Sequence, residues 1–276
     1  MSNNYARLLD LKAEVKGAGA PTTDDAALLR VGERATEITD DFCNRHFFAE
    51  IATHLYDGNG RAQLWLPDDL VTATTLKVDA DGDGVFELTL AANTDYWLWP
   101  DGGPPYLRID LNPRSTALSA FPAARRSVQL AALFGYSYEL EATGIAGTLS
   151  DASDTSLTAN ADASALVSPG DTLVIESEQL YVTAVVTTTI TVVRGMNGTT
   201  AAAHTTQAIS RRRYPRPVEQ ATVMQAARLF RETQTGYGGQ IGNQELAGYA
   251  FRSMYPAIRD ALAPYRVPVV AGTGVA

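Results

Sequence analysis

Residues 22–48 read TTDDAALLRVGERATEITDDFCNRHFF. Apolar residues recur in this segment at alternating spacings of three and four, which predicts one amphipathic helix with a single apolar stripe. The stripe consists of Leu28, Val31, Ala35, Ile38 and Phe42. We expect Thr22 or Thr23 to cap the helix, and a knot of polar and aromatic residues, 43–48, to end it. Such a helix anchors a domain, and other segments have to indicate the function.

The composition is that of a chain with a substantial core. Its 276 residues, of which 45% are hydrophobic, leave room for one large domain or two modest ones. No stretch approaches the ~20 consecutive apolar residues of a membrane span, so we expect no membrane partner. The first residues lack the features of a signal peptide, and the single cysteine, Cys43, excludes an internal disulfide framework. We expect Cys43 to be a buried helix residue in a chain that folds in a reducing cytoplasm.

The charge is distributed unevenly along the chain. The net charge of −9 argues against a general nucleic-acid binder, but residues 211–276 carry +5. This basic segment can attract the acidic body, either within one subunit or between copies. It opens with a cluster of four arginines beside Tyr214: Arg211, Arg212, Arg213 and Arg216. Three interpretations of the cluster stay open, namely contact with phosphates, contact with an acidic face of a neighbouring protein, or simple solvation.

The order of sequence patterns predicts an α+β fold. Helical patterns come first, strand-and-turn patterns follow from residue 53 to 137, and helical patterns return from Pro217. A segment rich in Thr, Ser, Ala and Gly, residues 142–210, precedes that return. Its three strand candidates are 171–175, 179–185 and 189–193. We expect a helical bundle from the N- and C-terminal segments, an antiparallel β-sheet region between them, and an inserted small β-domain.

These patterns also predict domain boundaries. Residues 1–141 would hold the N-terminal helices and the sheet region of the main domain, and residues 211–266 the C-terminal helices that complete it. Residues 142–210 would form the inserted β-domain. Residues 267–276, which are apolar and small, would form a flexible tail.

An Asp-Gly segment between two strand candidates imitates the start of a calcium loop. It reads Asp79-Ala80-Asp81-Gly82-Asp83-Gly84. The EF-hand pattern requires Glu at its twelfth position, which is Leu90 in this chain, and strands rather than helices flank the segment. We therefore interpret it as a hairpin tip. The histidines, His46, His54 and His204, lack metal-ligand spacing, so we expect neither a metal nor a cofactor.

The strand candidate YWLW, residues 96–99, leaves two interpretations open. Alternation across a pleat places Trp97 and Trp99 on one face, which suits either the core or an exposed sugar-binding platform, and we favour the core. No nucleophile or acid–base set emerges, so we expect no enzymatic activity. A pair formed by Cys43 and a histidine is the remaining enzymatic alternative, supported by residue type alone.

Several motifs follow one another in a recognisable order. They are FCNRHF (42–47), YDG (56–58), LWLP (64–67), the Asp-Gly hairpin, PYLRI (105–109), FGY (134–136), PVEQA (217–221), AARLF (226–230) and LAPYR (262–266). In this order they resemble the head–tail connector (adaptor) proteins of tailed bacteriophages. In addition, VVRGMNGTT (192–200) followed by Ala203 and His204 is similar to a small β-module that is repeated across phage virion proteins.

The resemblance implies a structural protein of the virion neck, assembled in the host cytoplasm and without chemistry of its own. Such connectors form a ring, usually a dodecamer, beneath the portal protein. The ring extends the channel for genomic DNA, which passes without sequence-specific binding, and presents a surface to the next head-completion or tail protein. The candidate partner-binding residues are Arg211, Arg212, Arg213, Arg216, Tyr265, Arg266, Val267, Pro268, Val269 and Val270.

Two alternative functions come from other classes. The first is a carbohydrate-binding or other structural component of a tail or fibre, in which the tryptophan strand and the β-insertion recognise a glycan. The second is a Cys43-dependent enzyme.

Overall fold

The computed structural model describes residues 3–16, 22–136, 138–234 and 254–267 of the chain. Strands account for 36% of the structure and helices for 26%. The predicted α+β fold, with a helical bundle formed by the N- and C-terminal segments, is therefore wrong, because the structure is mostly β and contains a six-stranded barrel and an antiparallel sheet. The segment predicted as a small insertion forms, together with its flanking strands, a closed six-stranded barrel. This barrel and the helices belong to the same compact unit.

The described part of the chain contains four α-helices and twelve strands. The helices are α1 (Leu8–Lys16), α2 (Asp25–Cys43), α3 (Arg216–Gln234) and α4 (Pro256–Leu262). The strands are β1 (Glu50–Tyr56), β2 (Gln63–Val78), β3 (Leu88–Leu90), β4 (Tyr96–Trp99), β5 (Tyr106–Leu111), β6 (Val128–Phe134), β7 (Leu140–Leu149), β8 (Ser156–Ala159), β9 (Thr172–Ile175), β10 (Glu178–Val186), β11 (Thr189–Val193) and β12 (His204–Arg212). Within the described ranges, none of the helices combines the length and the apolar character needed to cross a lipid bilayer.

The chain divides into two compact units. Unit 1 comprises residues 1–44, 139–196 and 200–276, and unit 2 comprises residues 45–138 and 197–199. Unit 1 contains the described helices together with β7 to β12, and unit 2 contains β1 to β6. The predicted domain boundaries at residues 142 and 210 stay a prediction.

Unit 2 is built on an antiparallel sheet with the order β1-β6-β2-β5-β4, and β3 pairs with β2 beside it. Side chains alternate between two faces along each strand, so every second residue turns towards the core. The buried residues of these strands include Leu64, Leu66, Leu76, Leu90, Tyr96, Ile109, Leu111, Leu130 and Phe134. The opposite face of β2, β5 and β4 is left at the surface.

The turn after β6 requires a glycine. Gly135 has a φ of +127°, and its N–H donates to the carbonyl oxygen of Asp69 at 2.8 Å. A Cβ added at Gly135 would lie 2.1 Å from the carbonyl oxygen of Phe48, which is far inside van der Waals contact. Both the backbone conformation and the close approach exclude a side chain at this position.

Unit 1 contains a closed barrel of six strands in the order β10-β11-β8-β7-β12-β9. Every neighbouring pair runs antiparallel, and closure leaves no free strand edge along the barrel. Its interior is filled by Ile145, Leu149, Leu157, Leu173, Ile175, Leu180, Val182, Ile190, Val192 and Ile209. The three predicted strand candidates of this region are confirmed as β9, β10 and β11.

Helix α2 is confirmed, but its buried face differs from the predicted stripe. The residues that α2 buries are Leu28, Gly32, Ala35, Thr36, Thr39 and Cys43. The small residues among them admit α3 closely, and the hydroxyl oxygens of Thr39 and Thr222 lie 3.2 Å apart. The N-cap is Asp24 rather than Thr22 or Thr23, and the helix ends at Cys43 as expected. Of the predicted stripe, Leu28 and Ala35 are buried. Val31, Ile38 and Phe42 are half-buried, so periodicity located the helix but only part of its buried face.

Polar contacts within unit 1 join the helical residues to the barrel. The guanidinium Nε of Arg7 lies 3.3 Å from Asp171 Oδ1, and Tyr181 donates its hydroxyl to Glu33 Oε1 at 2.9 Å. Because burial dominates its surroundings, the pKa of Asp171 is raised despite the attraction of Arg7 and Arg211. These contacts make the barrel and the helices one unit.

The turn at Gly135 predicts a specific steric effect. We expect Gly135→Ala to lower the free energy of unfolding by about 3 kcal/mol or more, because strain at positive φ is joined by a clash with the carbonyl of Phe48. Gly103→Ala is the matched control, since Gly103 has a φ of +112° and no atom within 4 Å of an added Cβ. Urea unfolding of the two variants checks this, and equal losses of stability would contradict the role of the close approach.

Candidate assembly surfaces

The predicted C-terminal site residues lie at the end of α2. Val267 donates its N–H to the carbonyl oxygen of Cys43 at 2.9 Å, and Asn44 Nδ2 donates to the carbonyl oxygen of Val267 at 3.0 Å. The Arg266 guanidinium lies over the Phe42 ring, 5.5 Å from its centroid. Asn44 adopts the left-handed conformation, with a φ of 51°, which ends the helix and exposes its amide to this contact. Pro268, Val269 and Val270 lie outside the described residues.

The predicted arginine cluster is divided between the interior and the surface. Arg211 and Arg212 are buried, Arg213 is half-buried, and Arg216 is exposed. Arg211 Nη2 pairs with Glu141 Oε2, and Arg213 binds both Glu141 and Glu219 with distances of 2.7–3.0 Å. The hydrogen bond from Arg213 is the main reason why the pKa of Glu141 is lowered.

These pairs show how the basic segment and the acidic body meet inside one subunit. Arg213 reaches from the end of β12 to the first turn of α3, where Glu219 also accepts the backbone N–H of Tyr214 at 3.1 Å. Burial lowers the pKa of Arg212. Arg216 is the member of the cluster that stands at the surface, and partner binding by the four arginines stays a prediction.

The Asp-Gly hairpin gathers four carboxylates. Ligand oxygens of Asp79, Asp81, Asp83 and Glu87 all lie within 4.8 Å of one another. The Asp79 carboxylate accepts the N–H groups of Gly82 and Gly84 at 2.7 and 2.9 Å, and these bonds shape the loop. Oxygen ligands of this kind suit a hard cation such as Ca²⁺. The sequence pattern missed Glu87, because the EF-hand template looks for its glutamate at Leu90.

Each histidine pairs with a different carboxylate. His46 Nε2 lies 3.7 Å from Glu50 Oε1, and His54 Nδ1 lies 3.1 Å from Asp68 Oδ2 while its ring stacks on Phe134. Cys43 is fully buried, as predicted, and its thiol contacts the carbonyl oxygen of Leu262 at 4.0 Å. A thiol in this position behaves as a small apolar side chain.

The third histidine belongs to a buried polar network in the barrel, which we call the Glu178 network. The Glu178 side chain is 1% exposed, and Arg194 donates to its two oxygens with two hydrogen bonds of 2.7 Å. His204 Nε2 lies 2.8 Å from Glu178 Oε2, and the backbone N–H groups of Gly195 and Ala202 donate to the same carboxylate. Glu178 therefore holds both ends of the segment between β11 and β12.

The electrostatics of this network favour the ionised carboxylate. Burial alone would raise the pKa of Glu178, but the hydrogen bonds from Arg194, His204 and two backbone amides outweigh it and lower the pKa to about 2. Arg194 and His204 of the sequence motif thus serve to bind the buried carboxylate of Glu178. Glu178 lies 16 residues before Arg194, so the motif itself could not reveal it.

The three tryptophans of the chain all lie on the exposed face of β2, β5 and β4. Trp65 is 54% exposed, Trp97 41% and Trp99 38%. The register places Trp65 and Trp99 on either side of Arg108, and Gln63 and Trp97 on either side of Asp110. We call these six residues the Trp face. The prediction that Trp97 and Trp99 lie in the core is wrong, because their neighbour Tyr96 takes the buried side of the same strand.

Arg108 is held firmly in the middle of the Trp face. Its guanidinium lies 5.0 Å from the ring centroid of Trp65 and 4.7 Å from that of Trp99, within cation–π distance of both. It also donates two hydrogen bonds of 2.7 Å to the carboxylate of Asp110. Four of the six side chains, those of Arg108, Asp110, Trp65 and Trp99, therefore contact one another.

Comparisons with known proteins give two solved structures of interest. The first, titled "Neck of empty GTA particle computed with C6 symmetry", has 16% identity and a TM-score of 0.43. The second, titled "Virion of native gene transfer agent (GTA) particle", has 14% identity and a TM-score of 0.44. Each covers 96% of this chain and 91% of the compared chain. No protein-family model and no curated protein matches the chain.

The Glu178 network predicts a pH-dependent loss of stability. Since the folded-state pKa of Glu178 lies below its ordinary value of 4.5, the carboxylate stabilises the fold above pH 4.5 and loses that contribution as the pH falls towards 2. At pH 7 we expect Glu178→Gln to lower the free energy of unfolding by about 3–5 kcal/mol, because Arg194 stays buried without its counter-charge. Urea unfolding between pH 7 and pH 2 measures both effects.

The matched control is Glu176→Gln. Glu176 contacts the same histidine, with 2.7 Å between its Oε2 and His204 Nδ1, but its side chain is 53% exposed. We expect this variant to lose less than about 1 kcal/mol. A stability difference between wild type and Glu178→Gln that is as large at pH 2 as at pH 7 would contradict the assignment.

Proposed function

We propose that the chain is a structural head–tail connector (adaptor) of a tailed phage or a related particle. Its copies form a ring beneath the portal protein, the ring extends the DNA channel, and its far side receives the next head-completion or tail protein. The observation behind this proposal is the location of the charged and of the aromatic side chains. Glu141, Glu178 and Glu219 are engaged in pairs with arginines of unit 1, while Trp65, Trp97 and Trp99 are exposed.

This distribution suits assembly rather than catalysis. The buried thiol of Cys43 has no exposure to a substrate, and Glu178 with His204 serves the barrel. Exposed aromatic residues with an ordered arginine are the composition of protein contact sites. The motifs that resemble phage virion proteins support the same conclusion, because Gly135 in a connector-like motif and Arg194 in the motif similar to the small β-module have clear structural tasks.

The net charge of the chain is compatible with a ring that surrounds DNA without binding it tightly. A charge of −9 on each copy repels phosphates, so genomic DNA would pass without sequence-specific binding. The pairing of Arg211 and Arg213 with acidic residues of the same unit also leaves them less available to phosphates. Arg216 and the segment from Tyr265 onward are then the proposed contacts with the portal protein.

A glycan-binding component of a tail or fibre is the second candidate function. The observation that favours it is the exposure of Trp97 and Trp99, which a sugar platform requires. Against it, Arg108 already covers one face of Trp65 and of Trp99. The connector proposal accounts for the Trp face and for the C-terminal contact at α2 together.

The contact between Val267 and α2 leads to a prediction about the last residues. We expect a chain without residues 268–276 to keep the free energy of unfolding of the wild type, because the bonds to Cys43 and Asn44 remain. It should nevertheless join portal-bearing heads poorly. Cosedimentation of the purified chain with such heads measures the joining, and a chain with a glycine-serine segment of equal length controls for reach.

Two results would oppose this proposal at different levels. Unimpaired joining by the shortened chain would contradict the role of the tail in docking. Absence of the wild-type chain from purified particles would contradict the connector function itself.

A further inference from the structure

The Trp face is an apolar surface that unit 2 does not need for its own core. The buried side of the same strands is occupied by Leu64, Leu66, Ile109 and Leu111, so the sheet has a complete core without the tryptophans. Leaving three large aromatic side chains at the surface keeps apolar area in water, which is unfavourable. Contiguous exposed patches of this kind mark interaction sites.

Four side chains of the Trp face also hold one another in position. Arg108 is fixed by two hydrogen bonds to Asp110 and by the rings of Trp65 and Trp99, whose centroids are 5.8 Å apart. A surface that is ordered before binding loses little side-chain entropy when a partner arrives. Tryptophan and arginine are the residues that most often carry the binding energy of protein interfaces.

The charge of the Trp face decides which partner fits it. Of its six residues only Arg108 and Asp110 are charged, and they neutralise each other. Phosphates of DNA therefore find no free positive charge there. Two copies of a chain with net charge −9 repel each other in general, so they can approach most easily where the surface carries no net charge.

We propose that the Trp face is the contact through which one copy of this chain binds a second copy. The inference rests on the proposed function, since a ring requires a contact that repeats from copy to copy. In a closed ring the contact is heterologous, so the Trp face of one copy meets a different surface of the next. The glutamine and the Arg108–Asp110 pair supply directional hydrogen bonds at its centre, and the three tryptophans supply the buried apolar area.

Trp97→Glu in the full-length chain tests this contact. The substitution places an uncompensated negative charge on the Trp face of every copy, and the side chain makes no part of the buried core. We expect the protein concentration at half-assembly, followed by native mass spectrometry and sedimentation, to rise at least about 10-fold. The matched control is Tyr255→Glu, since Tyr255 is an aromatic residue of similar exposure that lies in unit 1, outside the Trp face. Its assembly should equal that of the wild type.

A second measurement uses the wild-type chain alone. Because all three tryptophans belong to the Trp face, the intrinsic tryptophan emission reports on this surface. We expect assembly to shift the emission to shorter wavelength and to reduce its quenching by acrylamide. This readout keeps the proposal testable even if Trp97→Glu fails to fold.

The outcomes separate the inference from the proposed function. Assembly of Trp97→Glu at wild-type concentrations, unchanged quenching on assembly, or a wild-type chain that stays monomeric each overturns the inference, and so does saturable glycan binding that quenches the tryptophans without assembly. Recovery of the chain from particle necks in any of these cases would leave the connector function standing. Absence of the chain from particles would instead remove the connector function.

Discussion

Unit 1 depends most on the hydrogen bonds and ion pairs of the buried Glu178 carboxylate. It lies on β10 and binds Arg194 and His204, so it fixes the segment that leads from β11 into β12. β12 then pairs with both β7 and β9 and closes the barrel. At its far end, Arg211 and Arg213 bind Glu141 and Glu219, which orients α3 at its first turn. The buried carboxylate of Glu178 thus positions one end of β12, and the arginines at the other end of β12 contact α3.

The sequence predicted those features that depend on local pattern. The helix ending at Cys43, the burial of its thiol and the strands β9 to β11 follow from periodicity and composition within short windows. The overall fold class did not follow, because the weight of strands and the closing of the barrel depend on pairings such as Glu141 with Arg211, 70 residues apart. Helical patterns at both ends of the chain suggested a helical bundle. In the structure, the helices instead belong to a larger unit that also contains the barrel.

The candidate site was predictable only in part for the same reason. Alternation showed that Trp97 and Trp99 share a face, but it could not show which face the sheet would bury. Likewise, a run of arginines is visible in the sequence, whereas the acidic residues that bind two of them come from β7 and α3. The resemblance to the connector family implied an assembly protein, and only the three-dimensional arrangement separated the residues that hold the fold from those that remain exposed.

The chain pairs several of its charged groups inside unit 1, while the Trp face of unit 2 stays exposed. The most direct test of the account is electron microscopy of the portal vertex in purified particles, with a reconstruction fine enough to distinguish the two units. The account predicts copies of the six-stranded barrel and of the sheet repeated around the DNA channel, adjacent to the portal protein. A vertex without them, or a single copy of the chain elsewhere in the particle, would contradict it.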